Sequence, residues 1–252
     1  MRKGKRYKSK NSTIAYVFIL IFIAIFIFSA IQIIKYIKNS KENEKILEEI
    51  SKYITINSSE DGEEQDKIHI DFNSLKEKNS DTIGYLKVNG TDIESVVVQA
   101  EDNSYYLSHN FDKNNNNAGW IFADYRNKFD GTDRNIVIYG HNMKNGTMFS
   151  SLKNILNNDW QEAEENKYIT FITENKASTY EVFSIYTIEN EDYYITTSFK
   201  DDEEFQNFID KIKSRSIKNY ETKVTSEDKI LTLSTCANDN KYRVVLHSKL
   251  IN

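Results

Sequence analysis

The chain has 252 residues, with 33 Lys or Arg against 38 Asp or Glu, a net charge of −5, a single cysteine and no proline. Nine of the basic residues and no acid fall within residues 1–41, so the remaining 211 hold 24 basic against 38 acidic groups, a net of −14. An acidic main body excludes a nucleic-acid partner, which would need a basic face, and one cysteine excludes any disulfide within the chain.

A basic tail (1–13) opens the chain, with Arg2, Lys3, Lys5, Arg6, Lys8 and Lys10. Ile14–Ile34 follows, 21 residues without a charge. As a helix it spans about 31 Å, enough for the hydrocarbon core of a bilayer. The basic flank predicts a single-pass anchor in the cell membrane, with a cytoplasmic N-terminus and everything beyond Ile34 outside. A cleaved signal peptide is the rival reading, and it calls for a shorter apolar run ending in small residues. Ser29-Ala30 offers a weak cleavage point, but Ile31, Ile33 and Ile34 carry the apolar run past it.

Residues 35–67 read as a stalk and linker. Ile46, Ile50, Tyr53 and Ile54 recur at helical spacing within Lys41–Ile56, as in a helix between membrane and domain, although a solvated stalk has the same pattern. Ser58–Lys67 is polar and acidic, as a linker would be.

The folded domain is expected over 68–252, long enough for one substantial core. Asp71 is a candidate N-cap for a short helix through Phe72–Leu75. Eight short strands with Asn, Gly and Asp turns follow, at Thr82–Val88, Ile93–Gln99, Gly119–Ala123, Asn135–Tyr139, Lys167–Thr173, Thr179–Ile188, Lys229–Cys236 and Tyr242–Leu250. Such a series predicts a mainly β domain, closed into a barrel or stacked as a sandwich. Two helical stripes interrupt it: Phe149, Leu152, Ile155 and Leu156, then Phe205, Phe208, Ile209 and Ile212 within Asp201–Ser214. Asp201 and Asp202 near the start of the second, with Lys211 and Lys213 near its end, suit the helix dipole.

The chemistry concentrates in Ile230–Leu250. Cys236 ends one strand, a polar turn Ala237–Asn240 follows, and Arg243 lies in the next strand. A fixed cation close to a thiol favours its thiolate. Cys236 reads equally well as a small buried core residue. His141, in Tyr139-Gly140-His141-Asn142-Met143, closes another strand; alone, it reads as a satisfied structural histidine. His69, His109 and His247 are scattered, with no pair at metal-ligand spacing.

Thr232-Leu233-Ser234-Thr235-Cys236 followed by Arg243, with Gly140-His141-Asn142 earlier in the chain, resembles the signature of the sortases, cysteine transpeptidases of Gram-positive surfaces. N-terminal helices before the barrel, a long helix between its sixth and seventh strands, and the stretches Thr82–Leu86, Tyr105–Leu107, Ile121–Arg126 and Met148-Phe149 look most like class B. The resemblance covers roughly Phe72–Leu250, with one departure, a short turn between Cys236 and Arg243. It implies an eight-stranded sortase barrel with Cys236 as nucleophile, His141 as general acid and then base, and Arg243 as the clamp on substrate backbone or oxyanion. It also implies cleavage of a C-terminal sorting signal after its threonine through a thioester. The partners implied are surface proteins bearing that signal and a cell-wall peptidoglycan precursor amine, with no metal and no cofactor. Ser234 and Thr235, just before the thiol, and Tyr139, two residues before His141 on the same strand face, are the candidate substrate-binding residues. Tyr193 and Tyr194 lie in the connection that forms one groove wall in the family, or are ordinary packing. A pilin-polymerising sortase, a cysteine endopeptidase that uses water as acceptor, and a non-enzymatic surface protein with a decayed site are the rival readings.

Overall fold

A computed structural model describes residues 10–56, 68–189, 191–236 and 241–252. The expected linker Ser58–Lys67, the turn Ala237–Asn240 and most of the basic tail lie outside the described residues. The chain divides into two units, 1–42 and 43–252. The first unit is carried by helix α1 (Lys10–Ser51). Its large apolar side chains from Ile14 to Ile34 are exposed, and among the described residues it is the one helix long and apolar enough to cross a membrane.

The second unit takes in the last turns of α1. Ile46 and Ile50 are buried in the main core. The helix expected over Lys41–Ile56 ends at Ser51, because Ile54–Ile56 forms strand β1 and pairs antiparallel with β2 (Ile68–Ile70). Strand pairing satisfies backbone groups that a frayed helix end would leave to water. Helix α2 (Phe72–Lys78) starts at Asp71, whose carboxylate accepts from the Ser74 backbone N–H at 3.1 Å and from its hydroxyl at 2.7 Å. That satisfies one of the four unpaired donors at a helix start.

The eight expected strands all form, as β3 (Thr82–Val88), β4 (Glu94–Val98), β5 (Phe122–Ala123), β6 (Asn135–Gly140), β7 (Tyr168–Ile172), β8 (Ala177–Glu189), β9 (Ile230–Cys236) and β10 (Tyr242–Leu250). They close into a barrel in the order β10-β8-β7-β3-β4-β5-β6-β9. Two neighbouring pairs, β4–β5 and β6–β9, are parallel. β5 is shorter than its apolar run because Gly119 turns at φ +58° and the Trp120 N–H bonds the Tyr106 carbonyl instead of a strand.

Alternation along the strands divides the core in two. Leu231, Leu233, Val244 and Leu246 join the large core, while Ile230 and Val245 face a second one. After the short helix α3 (Asn158–Glu162), the second core is capped by α4 (Asp202–Ser214), between the sixth and seventh barrel strands, through Phe205, Phe208, Ile209 and Ile212. Asp201 is its N-cap, accepting from the Glu204 N–H at 2.9 Å. The earlier stripe from Phe149 winds as a tighter 3₁₀ segment, Ser150–Leu156, rather than an α-helix.

Candidate active site

The site is assembled by three neighbouring strands that end at the same edge of the barrel. β6 and β9 run parallel, with Tyr139 opposite Ser234 and Gly140 opposite Thr235. His141 follows Gly140 and Cys236 follows Thr235, so each lies one residue beyond the last register pair of these two strands. β10 lies on the other side of β9, and there Arg243 is the cross-strand partner of Cys236. Adjacent strands are about 5 Å apart, so the ends of these three strands bring residues distant in sequence to one edge of the barrel.

A cavity of about 430 Å³ opens at this edge, and Tyr139, His141, Ser234, Thr235 and Arg243 all line it. Its walls come from two loops. Asn103 and Leu107 supply one side, and Glu191, Asp192, Tyr194 and Ile195 supply the other. The two tyrosines named from sequence part company here. Tyr194 is buried, and its hydroxyl bonds Ser234 Oγ at 2.9 Å. Tyr193 packs instead under Lys211, whose Nζ lies 3.5 Å from the ring centroid.

His141 is held from several directions. Its Nε2 lies 2.8 Å from the Leu107 carbonyl oxygen. A carbonyl only accepts, so Nε2 carries the proton and donates it. Nδ1 is thereby the nitrogen left for exchange. The Phe149 N–H donates to the His141 carbonyl at 2.9 Å, and Asn142 and Met148 form an antiparallel bridge, so the 141–149 loop is closed at its base. Gly140 makes this closure possible: a Cβ there would lie 2.5 Å from Phe149 Cγ.

Beneath the cavity sits a polar network that the sequence reading missed. Asp124 is fully buried and accepts from Tyr139 OH at 2.8 Å, from Asn103 Nδ2 at 2.9 Å and from two Arg126 nitrogens at 2.8 and 2.7 Å. Burial alone would raise its pKa, but hydrogen bonds led by Arg126 overcome that and hold the carboxyl below the usual range. Arg126 also donates to the Ile195 carbonyl at 2.9 Å, tying one wall of the cavity to its floor. Burial, with the Asp124 charge beside it, pushes the Tyr139 phenol well above its ordinary value, so it stays a neutral donor. The Asp-x-Arg spacing in Ala123-Asp124-Tyr125-Arg126 was the available sequence signal.

With this geometry in hand, comparison with known proteins is decisive. A sortase domain family model matches residues 86–251, and the chain is 35% identical over 240 residues to sortase B of Listeria monocytogenes, across 92% of this chain and 94% of that one. The chain belongs to the sortase family. It is a cysteine transpeptidase of the class B kind. Sortase B of Staphylococcus aureus is 32% identical over 244 residues, covering 95% of this chain and 96% of that one. Among solved structures, Bacillus anthracis sortase B in complex with AAEK1 superposes with a TM-score of 0.74 at 34% identity, over 86% of this sortase and 99% of that chain. Clostridium perfringens sortase B gives a TM-score of 0.68 at 39% identity, over 72% of this chain and all of that one.

Proposed function

We propose that Cys236, His141 and Arg243 are the catalytic set of this sortase. In this reading it cleaves a C-terminal sorting signal after threonine and joins the surface protein to a cell-wall peptide amine. The observation that supports it is that Arg243 is the register partner of Cys236 across β9 and β10, that His141 and Cys236 each lie one residue past the Gly140–Thr235 pair, and that His141 and Arg243 line the cavity at this edge. With its proton on His141 Nδ1, the Cys236 thiolate attacks threonine's own carbonyl carbon, and the carbonyl oxygen takes up the electron pair. Arg243, with a fork of permanent donors, holds that oxyanion or the substrate backbone beside it. As the carbonyl re-forms, the C–N bond breaks, and the leaving amine takes a proton from His141. Nδ1 gives that proton, because Nε2 is committed to Leu107. The thioester that remains is then attacked by the incoming amine. Nδ1 takes the amine proton back, and the thiolate leaves.

Tyr139, Ser234 and Thr235 line the groove that takes the signal peptide. A relative, Staphylococcus aureus sortase B, has been solved in a substrate complex, at 29% identity and a TM-score of 0.67. Ile14–Ile34 anchors the enzyme in the cell membrane, with the N-terminus cytoplasmic and the catalytic domain outside. Tethering enzyme and substrates at one membrane face raises their effective concentration.

A peptide-library cleavage assay with and without candidate amines tests this. A peptide–amine adduct is the expected product. A free acid only, with every amine, would identify a hydrolase, and an adduct to a pilin-subunit lysine would identify a polymerising enzyme. His141→Ala is expected to remove nearly all turnover; normal rates would exclude its proton-transfer role.

A further inference from the structure

Asn43, Ile46 and Ile50 lie at i, i+3 and i+7 of α1, so they share one face of the helix. Both isoleucines are buried in the core, and Asn43 is buried as completely, with no exposed surface. An amide at a core-facing position is costly unless its hydrogen bonds are met. Asn43 meets them on one short segment of chain. Asn116 Nδ2 donates to Asn43 Oδ1 at 2.9 Å, and Asn43 Nδ2 donates to the Gly119 carbonyl at 3.4 Å.

Asn116 is itself fully buried, and its segment runs beside the backbone that holds His141. The Asn116 N–H donates to the Ser108 carbonyl at 2.8 Å, and the Trp120 N–H to the Tyr106 carbonyl at 2.9 Å. These two bonds bracket Leu107, whose carbonyl takes the His141 Nε2 proton. Gly119 touches the site directly. A Cβ on it would lie 2.3 Å from the Tyr106 oxygen and 3.1 Å from His141 Cδ2. The 116–120 segment thus backs both the histidine ring and the carbonyl that orients it.

We infer that Asn43 is a positioning residue for His141: with Asn116 it fixes the 116–120 segment, which fixes the Leu107 carbonyl and the imidazole bonded to it. The last turns of α1 are on this basis part of the catalytic scaffold. The inference rests on the proposed function only in taking His141 as the proton-transfer group.

The test uses the full-length chain in detergent, with 15N-labelled histidine, and follows the ring nitrogen signals by NMR. His141 is assigned by its loss in His141→Ala. His247, buried between Thr232 and Tyr186, reports the barrel. In Asn43→Ala, Asn116→Ala and the milder Asn43→Ser, the His141 Nε2 signal is expected to shift toward that of a free imidazole while His247 stays unchanged. For a sorting peptide, kcat is expected to fall about 10- to 100-fold, with KM changed less than about threefold. The double variant is expected to be no worse than Asn116→Ala alone, since the two amides act as one unit. An unchanged His141 signal in all variants overturns the inference whatever turnover does. So does parallel loss of the His247 signal in all of them, Asn43→Ser included, because Asn43 would then support the whole barrel and not the histidine. A wild-type protein that never turns over a sorting peptide, but whose His141 signal answers to Asn43, would sink the proposed function and leave the clamp standing.

Discussion

Arg243 faces Cys236 directly across the β9–β10 ladder. Cross-strand neighbours are fixed by the register of every hydrogen bond along both strands, so the Arg243 backbone is set opposite that of Cys236 by seven consecutive pairings from Lys249↔Ile230 to Arg243↔Cys236. Arg243→Lys keeps the charge and the strand but loses the planar fork. It is expected to lower kcat/KM about 100-fold, the size of effect for a lost oxyanion donor. Near-normal kinetics would remove Arg243 from the oxyanion or substrate clamp.

Gly140 sets the angle at which the chain leaves β6. Alanine there would drive its methyl into Phe149, a fully buried ring in the main core. Either the ring or the strand end must move. Gly140→Ala is expected to lose about 1–3 kcal/mol of stability, the usual cost of overpacking. Displacing His141 is expected to cost about 100-fold in kcat. Chemical denaturation and peptide cleavage on the same preparation check both; wild-type values in each would show that the loop adapts freely.

Asp124 joins the cavity floor to its wall. Asp124→Asn keeps the shape but strips Arg126 and Tyr139 of their charged acceptor. Hydrogen bonds to charged groups contribute about 1.5–3 kcal/mol each, less where a partner is partly exposed as Arg126 is. A loss of about 1–3 kcal/mol is expected. Because the folded carboxyl sits below its ordinary pKa, the wild-type advantage is present at neutral pH and is lost as pH falls through the acid range. A gap that does not narrow on acidification would mean Asp124 is not held ionised.

His247 offers a second pH dependence, with a different window. It is fully buried between Thr232 Oγ1 and Tyr186 OH, each 2.8 Å from a ring nitrogen, and burial pushes its pKa from 6.5 down to about 3. Between about pH 3 and 6.5 the unfolded chain binds a proton that the folded one refuses, so stability falls with pH by about 1.4 kcal/mol per unit. For a domain of this size that is about 3–6 °C per unit. The difference in Tm between wild type and His247→Gln is therefore expected to shrink from pH 7 to pH 5. A constant difference would contradict a neutral buried imidazole.

Much of this fold could be read before the coordinates. Short runs set apart by Asn, Gly and Asp turns placed all eight barrel strands, because those turn residues punctuate a chain that folds back on itself. The α4 stripe and its Asp201 cap were equally plain. What escaped was held by groups without a side-chain signature. The Leu107 carbonyl that orients His141 is a backbone atom, and no choice of residue at 107 announces it. Asp124 reaches Tyr139 across the β5–β6 pair, a relationship that exists only once the register is known. The segment Ile54–Ile56 reads as a helix by spacing but becomes a strand because β2 offers it partners. Phe149–Leu156 shows a helical stripe, and a 3₁₀ winding satisfies that stripe as well as an α-helix does.

The most direct measurement is the intact mass of the enzyme during turnover of a sorting-signal peptide with the acceptor amine withheld. A covalent adduct carrying the peptide up to its threonine is expected on the wild type. It is expected to be released by added amine as a peptide–amine product, and to be absent from a folded Cys236→Ala variant that no longer cleaves. Cleavage that persists in Cys236→Ala, or wild-type turnover with no such adduct, would contradict a thioester on Cys236.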